Sequence, residues 1–315
     1  MSGDNKFRLL DLFSGMGGMS AGFARNGFLV NGIDLEQSAV DSYKKLTNGT
    51  GLTADIRNDS ISGDYDVIAG GPPCRPWSTV NLTRRHERHR DYDLVQKFFS
   101  IITDKMPQIF IMENVPAIKN DPVLLNTIKN TMGYGYSIKE ELIRYSDFGA
   151  ATARKRFFVI GVRGDNNSVF ENIKKRMAPA RTVSDVIWQY RHKEMGEEPD
   201  HVWPHLKTIS RYADKYMTGK YGWRWLKWGT PAPSFGNVMK TYTLHPDEPP
   251  ESKKARVISV LEALRIMGFD DFVFPDHIPM GRRYQMVVDS ISPVFSAVLA
   301  DVVSDVLRET RSVTA

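Results

Sequence analysis

The fold of this chain is decided by the stretch Phe7-Arg8-Leu9-Leu10-Asp11-Leu12-Phe13-Ser14-Gly15-Met16-Gly17-Gly18. The apolar run Phe7–Phe13 predicts a strand, which the serine and glycines that follow cannot continue. Helical spacing covers Met19–Asn26, and a second apolar run, Phe28–Ile33, ends at Asp34. Strand, glycine-rich turn, helix and strand make one βαβ unit, which predicts an α/β protein with a parallel sheet.

The turn after the first strand has the features of a ligand-binding loop. Glycines let the backbone approach a ligand closely, and the N-terminus of the following helix favours anions. Asp34 lies about 20 residues beyond Gly15, where an acid is placed to hold ribose hydroxyls. The glycine spacing differs from the G-x-G-x-x-G pattern of pyrophosphate sites, so the turn fits a nucleoside with a small charged tail, such as S-adenosylmethionine. An ordinary tight turn is the alternative.

A second acid follows the next strand of the sequence. Leu52–Ala54 reads as a short strand, and Asp55 and Ile56 come directly after it. We expect Asp55 to reach the amino group of an adenine and Ile56 to flank the ring. Considered alone, Asp55 would more often be a helix cap or a turn residue.

The only cysteine of the 315 residues lies in Gly70-Gly71-Pro72-Pro73-Cys74-Arg75-Pro76-Trp77-Ser78. This stretch follows Asp66–Ala69, which reads as a buried strand, and two adjacent prolines stiffen the turn. A lone cysteine is more often inert than reactive. A thiol at the carboxyl end of a parallel strand, however, lies where open α/β sheets bind their ligands. We therefore interpret Cys74 as a candidate nucleophile.

A carboxylate and two arginines complete the candidate catalytic set. The strand Pro107–Met112 ends at Glu113, on the same edge of the sheet as Cys74, so Glu113 is a candidate acid whose pKa burial could raise. Capping of the next helix is an equal alternative. Arg154 and Arg156 stand two residues apart in a predicted strand and would share one face. They form a cationic pair at the site or merely flank an edge strand.

Two cationic segments suit a polyanionic partner. Arg84–Arg90 is dense in cations and lacks apolar periodicity, which predicts a loop that contacts phosphates or, alternatively, a solvated surface. From about Trp188 to Pro250 aromatic and basic residues interleave, which suits phosphates and base edges. A small aromatic core with solvated cations is the alternative for this segment.

The composition limits the possible core size, charged partners, cysteine chemistry and location of the protein. The chain can bury a large core, with 41% hydrophobic residues, and it carries a net charge of +5 with a pI of about 9.1. One cysteine excludes an internal disulfide and a Cys-rich zinc site, so no metal is expected. The polar start and the absence of an apolar run long enough for a bilayer predict a cytoplasmic protein.

Taken together, these motifs resemble the DNA (cytosine-5) methyltransferases of bacterial restriction–modification systems, over almost the whole chain except 188–250. Asp11–Gly18 is similar to the cofactor loop of that family, Gly71–Cys74 to its nucleophile motif and Glu113–Val115 to its acid motif. Arg154–Arg156 is similar to its Q-x-R-x-R motif. The segment Arg256–Phe269 resembles the helix that precedes the last motif.

The resemblance implies a Rossmann-like S-adenosylmethionine-dependent methyltransferase sheet with a small, irregular target-recognition domain. Residues 1–187 would form the catalytic domain, 188–250 the target-recognition domain, and 251–315 the return to the catalytic domain. The implied cofactor site comprises Phe13, Gly15, Met16, Gly18, Asp34, Leu35, Asp55, Ile56, Pro73, Leu94, Ser290 and Ile291. The implied DNA contacts are Ser78, Arg84, Arg85, Arg88, Arg90, Arg224 and Lys227.

The implied reaction methylates C5 of a flipped cytosine in duplex DNA. Cys74 would add to C6, protonated Glu113 would donate to N3, and Arg154 and Arg156 would hold O2 and orient Glu113. The enzyme would act as a monomer in the cytoplasm, near the nucleoid, with a cognate restriction endonuclease acting separately.

Two departures from the family pattern leave alternatives open. Thr152 stands in place of the glutamine of Q-x-R-x-R, and Asp289 replaces the asparagine of the last motif. A catalytically impaired DNA-binding relative is therefore one alternative, although Cys74 and Glu113 argue against it. An RNA cytosine-5 methyltransferase is another, and the lack of a Cys-Phe-Thr signature in 188–250 argues weakly for DNA. A nicotinamide oxidoreductase is disfavoured by the glycine spacing.

Overall fold

The structure is a computed structural model that describes residues 6–77, 89–165, 167–219 and 222–314. Its internal contacts divide the chain into two compact units. Unit 1 comprises Met1–Ile143, Lys155–Met177 and Ser296–Ala315, and unit 2 comprises Arg144–Arg154 and Ala178–Phe295. This division differs from the predicted boundaries, because the chain returns to unit 1 at Ser296 and not near residue 251.

Unit 1 is built on a seven-stranded sheet. Its strands are β1 (Arg8–Leu12), β2 (Leu29–Asp34), β3 (Thr50–Thr53), β4 (Val67–Gly70), β5 (Ile109–Asn114), β6 (Tyr136–Arg144) and β7 (Lys155–Arg163), in the order β3-β2-β1-β4-β5-β7-β6. Strands β1 to β5 are parallel to one another, and β7 is antiparallel to β5. The prediction of an α/β, Rossmann-like sheet is confirmed.

Helices follow the strands of this unit, beginning with the one that the sequence predicts after the glycine-rich turn. They are α1 (Gly18–Arg25), α2 (Gln37–Thr47), α3 (Leu94–Lys105), α4 (Pro122–Met132) and α5 (Val169–Lys174). The fourth helix begins sharply because the Asp121 carboxylate accepts the backbone N–H groups of Val123 and Leu124, at 3.0 and 3.2 Å. Apolar side chains of α3 and α4 pack with those of β4 and β5 in one core cluster.

The strand order defines where a ligand can bind. From β1 the chain first moves to β2 and β3 on one side, and then crosses to β4 and β5 on the other side of β1. In open α/β sheets a ligand binds at such a switch point, beside the carboxyl ends of the strands. The glycine-rich turn, Asp34, Cys74 and Glu113 all follow or end strands at this edge.

Unit 2 has little regular structure before residue 257, as its poor periodicity predicts. Its elements are α6 (Val183–Ile187), α7 (Ala213–Thr218), β8 (Arg224–Trp225), β9 (Thr243–Leu244), α8 (Val260–Met267) and α9 (Met280–Asp289). The sequence prediction missed the short helices α6 and α7 and the longer α9. Buried Glu262, on α8, is held by two hydrogen bonds of 2.8 Å from Arg256.

The last helix, α10 (Pro293–Thr314), carries the chain from unit 2 back to unit 1. Within the described residues no single helix is long and apolar enough to cross a membrane. One bent pair, Met280–Asp289 with Pro293–Ser312, meets that criterion by length and composition.

Candidate active site

The loop between β1 and α1 has an unusual backbone. Phe13 has φ of 57°, and Gly15 and Gly17 have φ of 54° and 95°. A positive φ is strained for an aromatic residue such as Phe13, and strain of this kind concentrates at ligand-binding sites. A side chain at Gly17 would also meet Tyr43, because a Cβ there would lie 3.0 Å from its ring. The loop therefore turns tightly and packs closely against α2 at Gly17, whereas a Cβ at Gly15 would meet nothing within 4 Å.

Asp34, at the carboxyl end of β2, holds this loop in place. Its Oδ2 accepts a hydrogen bond of 2.9 Å from the backbone N–H of Gly15, and its Oδ1 accepts one of 3.0 Å from Glu36. The backbone N–H of Ser14 donates to the carbonyl of Ile33 at 3.0 Å. Asp34, which is predicted to bind the ribose, thus also holds the glycine-rich loop in place.

Ser14 is a site residue that the sequence prediction missed. Its side chain is buried, with 8% of the residue exposed, and its hydroxyl has no hydrogen-bond partner among the described residues. A buried hydroxyl without a partner is costly, which makes it a candidate donor to a bound ligand. The signal in the sequence was a polar residue between Phe13 and the first glycine of the turn.

Asp11 begins the segment that resembles the cofactor loop, but no role of its own was predicted for it. It belongs to β1 and is buried. Ser20 Oγ donates to its Oδ2 at 2.6 Å, and the hydroxyl of Tyr43 donates to Ser20 Oγ at 3.0 Å. Burial raises the pKa of Asp11 to about 8, and the nearby charge of Asp34 contributes to this increase. This buried chain ties β1 to α1 and α2 beneath the loop.

Several predicted cofactor residues come together in unit 1. Ile56 and Leu94 belong to one buried hydrophobic cluster, and Phe13 packs against it. Asp55 lies two residues after the end of β3, where its Oδ1 accepts the backbone N–H of Arg57 at 3.0 Å. The remaining members differ in exposure: Met16 and Gly18 are buried, Pro73 is half-buried and Leu35 is 63% exposed.

Ser290 and Ile291, the last predicted cofactor residues, lie in unit 2. Ser290 follows the end of α9 and is half-buried, whereas Ile291 is buried. Asp289, the departure beside them, accepts hydrogen bonds of 2.9 and 2.8 Å from Gln285, one turn earlier. Their role toward a cofactor stays a prediction.

Cys74 lies on a rigid turn beyond β4. It is half-buried, and its carbonyl accepts the backbone N–H of Trp77 at 3.0 Å. The buried amide of Asn114, at the end of β5, donates to the carbonyl of Pro72 at 3.0 Å. This bond ties the cysteine turn to the end of the neighbouring strand.

The segment after Cys74 is anchored by a buried acid. Trp77 is almost fully buried and donates from Nε1 to Asp121 Oδ2 at 2.7 Å, and the hydroxyl of Tyr92 donates to the same carboxylate at 3.1 Å. The two rings lie 5.5 Å apart. The residues on each side of 78–88 therefore share one attachment point.

Glu113 and Arg156 form an ion pair at the same edge of the sheet. Nε of Arg156 lies 2.8 Å from Oε1 of Glu113, and both side chains are nearly buried. A Cβ at Gly71 would lie 3.0 Å from Oε2 of Glu113, so the cysteine turn passes directly over the acid. The turn that carries Cys74 therefore lies beside the acid and the arginine at this edge of the sheet.

Arg154 does not follow the prediction that both arginines share a strand face, because β7 begins at Lys155. It belongs to unit 2, where its buried guanidinium donates to the carbonyl of Val288 and its own carbonyl accepts from Tyr145 at 3.0 Å. Thr152 is also buried in unit 2, next to Ala232, and its hydroxyl has no hydrogen-bond partner among the described residues.

The predicted DNA contacts are only partly described. Ser78, Arg84, Arg85 and Arg88 lie outside the described residues. The side chain of Arg90 is 81% exposed, and Lys227 is exposed with Nζ 3.0 Å from the centre of the Trp225 ring. Arg224 is half-buried and donates to the carbonyls of Gly219 and Trp223. These residues stay predicted contacts.

Comparisons with known proteins show the family to which the chain belongs. A family model described as C-5 cytosine-specific DNA methylase matches residues 7–304. Type II methyltransferase M.FnuDI of Fusobacterium nucleatum is 26% identical over 340 residues, covering 97% of this chain and 96% of the relative. M.NgoPII of Neisseria gonorrhoeae is 26% identical over 333 residues, covering 93% and 92%. The crystal structure of S. pombe Dnmt2 methyltransferase has a TM-score of 0.70 at 15% identity, covering 96% of this chain and 99% of that one.

Proposed function

Because this chain belongs to the C-5 cytosine-specific DNA methylases and is a DNA (cytosine-5) methyltransferase, we propose that Cys74 forms a covalent bond to C6 of a cytosine flipped out of duplex DNA. The observation that carries this proposal is the approach of the cysteine turn to Glu113. Gly71 lies over the acid, and Glu113 is paired with Arg156 at 2.8 Å.

The loop after β1 fits S-adenosylmethionine as the methyl donor. Three features support this: the positive φ of Phe13, the buried Ser14 hydroxyl, which has no partner in the described part of the chain, and the glycine-rich backbone held by Asp34. Ile56 and Leu94 offer apolar surface for the adenine. When bound, this donor would supply an electrophilic methyl group and would leave as S-adenosylhomocysteine.

The protein groups make the ring carbon nucleophilic. The Cys74 thiolate attacks C6, and the electron pair released onto the ring makes C5 able to take the methyl group. Glu113 donates a proton to N3 and so offsets the charge that develops there. A base then removes the C5 proton, the C6–sulfur bond breaks as N3 returns its proton to Glu113, and the thiolate is restored.

Arg156 has two tasks in this scheme. Its Nε lies 2.8 Å from the carboxyl of Glu113, its Nη1 donates to the carbonyl of Lys155 at 2.8 Å, and its Nη2 is proposed to bind the O2 atom of the base. Arg154 is proposed for the same oxygen only through its place in the family motif.

The aromatic and basic segment 188–250 is proposed to select the target sequence. It contains the exposed Lys227 beside Trp225, and such pairs combine phosphate attraction with a stacking surface. Replacing this segment by that of a relative would change which site is methylated. An active chimera that keeps the original site would exclude this role.

The proposal is tested by mapping methylated cytosines in duplex DNA after incubation with the purified protein and S-adenosylmethionine. We expect 5-methylcytosine at one short recurring sequence and none with Cys74→Ala. Parallel incubation with transfer RNA tests the RNA alternative, which the match to a DNA methylase model disfavours. If neither the DNA nor the transfer RNA is methylated, the catalytically impaired DNA-binding alternative is favoured.

A further inference from the structure

We infer that Arg57 is a positioning residue for the adenine end of the cofactor site, because it links the loop after β3 to the beginning of α3. This inference rests on the proposed function, which places the cofactor beside Asp55, Ile56 and Leu94. The guanidinium itself need not touch the cofactor.

Arg57 bonds to the segment that leads into α3. Its Nε donates to Asp93 Oδ2 at 3.2 Å, and its Nη2 lies 3.2 Å from Asp93 Oδ1. Nη2 also donates to the carbonyl of Arg90 at 3.0 Å and to Asp91 Oδ1 at 3.3 Å. Leu94, the first residue of α3, directly follows these acids.

Arg57 also contacts Asp55, the residue predicted to bind the adenine amino group. Its backbone N–H donates to Asp55 Oδ1 at 3.0 Å, and its Nη1 lies 4.0 Å from the same oxygen. The hydrogen bond with Asp93 raises the pKa of Arg57 above its usual value, so the guanidinium stays charged. Arg57 therefore contacts three carboxylates from two separate parts of the chain, and Arg90 Nε also lies 3.6 Å from one of them, Asp91 Oδ1.

The geometry has a consequence for cofactor affinity. Ile56 and Leu94 lie in the same hydrophobic cluster, one on each of the two linked segments. Without the guanidinium, Asp55, Asp91 and Asp93 would repel one another, and the distance between the two apolar side chains would increase. Adenine binding would weaken, whereas the catalytic groups at β4 and β5 would keep their places.

The test compares Arg57→Ala with a matched control, Arg176→Ala. Arg176 also pairs with two carboxylates in unit 1, Asp301 at 3.2 Å and Asp305 at 2.7 Å, but on α10. We expect Arg57→Ala to raise the KM for S-adenosylmethionine and the Kd for S-adenosylhomocysteine about tenfold, with kcat unchanged, whereas the control leaves all three unchanged.

Competition by adenosine separates positioning from general damage. Adenosine should lose affinity by the same factor as S-adenosylhomocysteine, because all three ligands share the adenine end. Arg57→Lys should give a smaller loss, since an ammonium keeps the charge without the planar fork. Asp93→Asn serves as the second variant if Arg57→Ala fails to fold. The Asp93 side chain is 57% exposed, and its substitution should raise the Kd for S-adenosylhomocysteine about threefold.

The outcomes separate the inference from the proposed function. The inference alone is overturned if Arg57→Ala binds S-adenosylhomocysteine with wild-type affinity. If that variant does not fold, wild-type affinity in both single variants, Arg57→Lys and Asp93→Asn, overturns it. A fall in kcat equal to the rise in KM also overturns it. Failure of the wild-type protein to bind S-adenosylhomocysteine overturns both.

Discussion

Asp34 Oδ2 accepts the backbone N–H of Gly15 across 2.9 Å, so the end of β2 holds the loop that follows β1. Asp34→Ala removes this acceptor, and we expect the affinity for S-adenosylmethionine to fall about 10- to 100-fold, the range for a hydrogen bond to a charged group. Asp34→Asn retains an acceptor oxygen and should lose less. Calorimetric titration measures both, and unchanged affinity in Asp34→Ala would remove Asp34 from the site.

Ser14 gives a prediction in which stability and affinity change in opposite directions. Because its buried hydroxyl has no partner among the described residues, Ser14→Ala should leave the free energy of unfolding unchanged or raise it slightly. The same variant should bind S-adenosylmethionine more weakly. Ser20→Ala is the control, since Ser20 donates to Asp11 at 2.6 Å and its loss should destabilise the fold. Urea unfolding and cofactor titration distinguish the two; wild-type affinity in Ser14→Ala would contradict the assignment.

The close approach of Gly71 to Glu113 predicts a selective loss of turnover. In Gly71→Ala the new Cβ would lie 3.0 Å from Oε2, so the carboxyl must shift by a few tenths of an ångström. We expect kcat to fall about tenfold while cofactor affinity stays unchanged, because misplacing a catalytic group by an ångström costs up to about a hundredfold. Gly229→Ala is the control, since a Cβ there meets nothing within 4 Å. Equal kcat in both variants would mean that the carboxyl position is not critical.

Asp11 predicts a pH dependence of stability. Its pKa is raised to about 8 in the folded chain, above the value of about 3.9 in an unfolded one. The folded state therefore binds one more proton between these values, and stability falls as pH rises through this window, by at most about 1.4 kcal/mol per pH unit from this group. Asp11→Asn should remove that contribution, so its stability relative to the wild type should increase from pH 5.5 to 7.5. Parallel pH curves for the two proteins in urea unfolding would rule it out.

The parallel sheet was predictable because its signals are local. Apolar runs such as Ile109–Met112 and the glycine-rich turn after Leu12 each define an element within a few residues, and the order of these elements limits the topology. Cys74 and Glu113 could be paired before the structure for the same reason, since both follow strands at one edge.

What the sequence did not predict depends on contacts between distant residues. Arg57 meets Asp91 and Asp93 more than 30 residues further along the chain, and no short spacing signals that pairing. Arg154 reads as a strand residue by its alternation with Arg156, but the strand begins one residue later. Short helices such as α7 carry too few turns to show a clear period.

The last prediction concerns the bond that Cys74 forms. If the thiolate adds to C6, release of the enzyme requires that a proton leave C5, and fluorine at C5 cannot leave as a cation. Duplex DNA with 5-fluorocytosine at the target should therefore remain covalently attached, and attachment should require S-adenosylmethionine and survive denaturation.

Two variants define the chemistry of this trapping on a denaturing gel with labelled DNA. Cys74→Ala should abolish the covalent band and retain non-covalent DNA binding through phosphate contacts. Glu113→Gln should slow trapping strongly, because an amide is a poor proton donor to N3, even though it preserves the shape of the side chain beside Arg156. A covalent band of normal yield from Cys74→Ala would mean that another group is the nucleophile, and the turn over Glu113 would then need a different role.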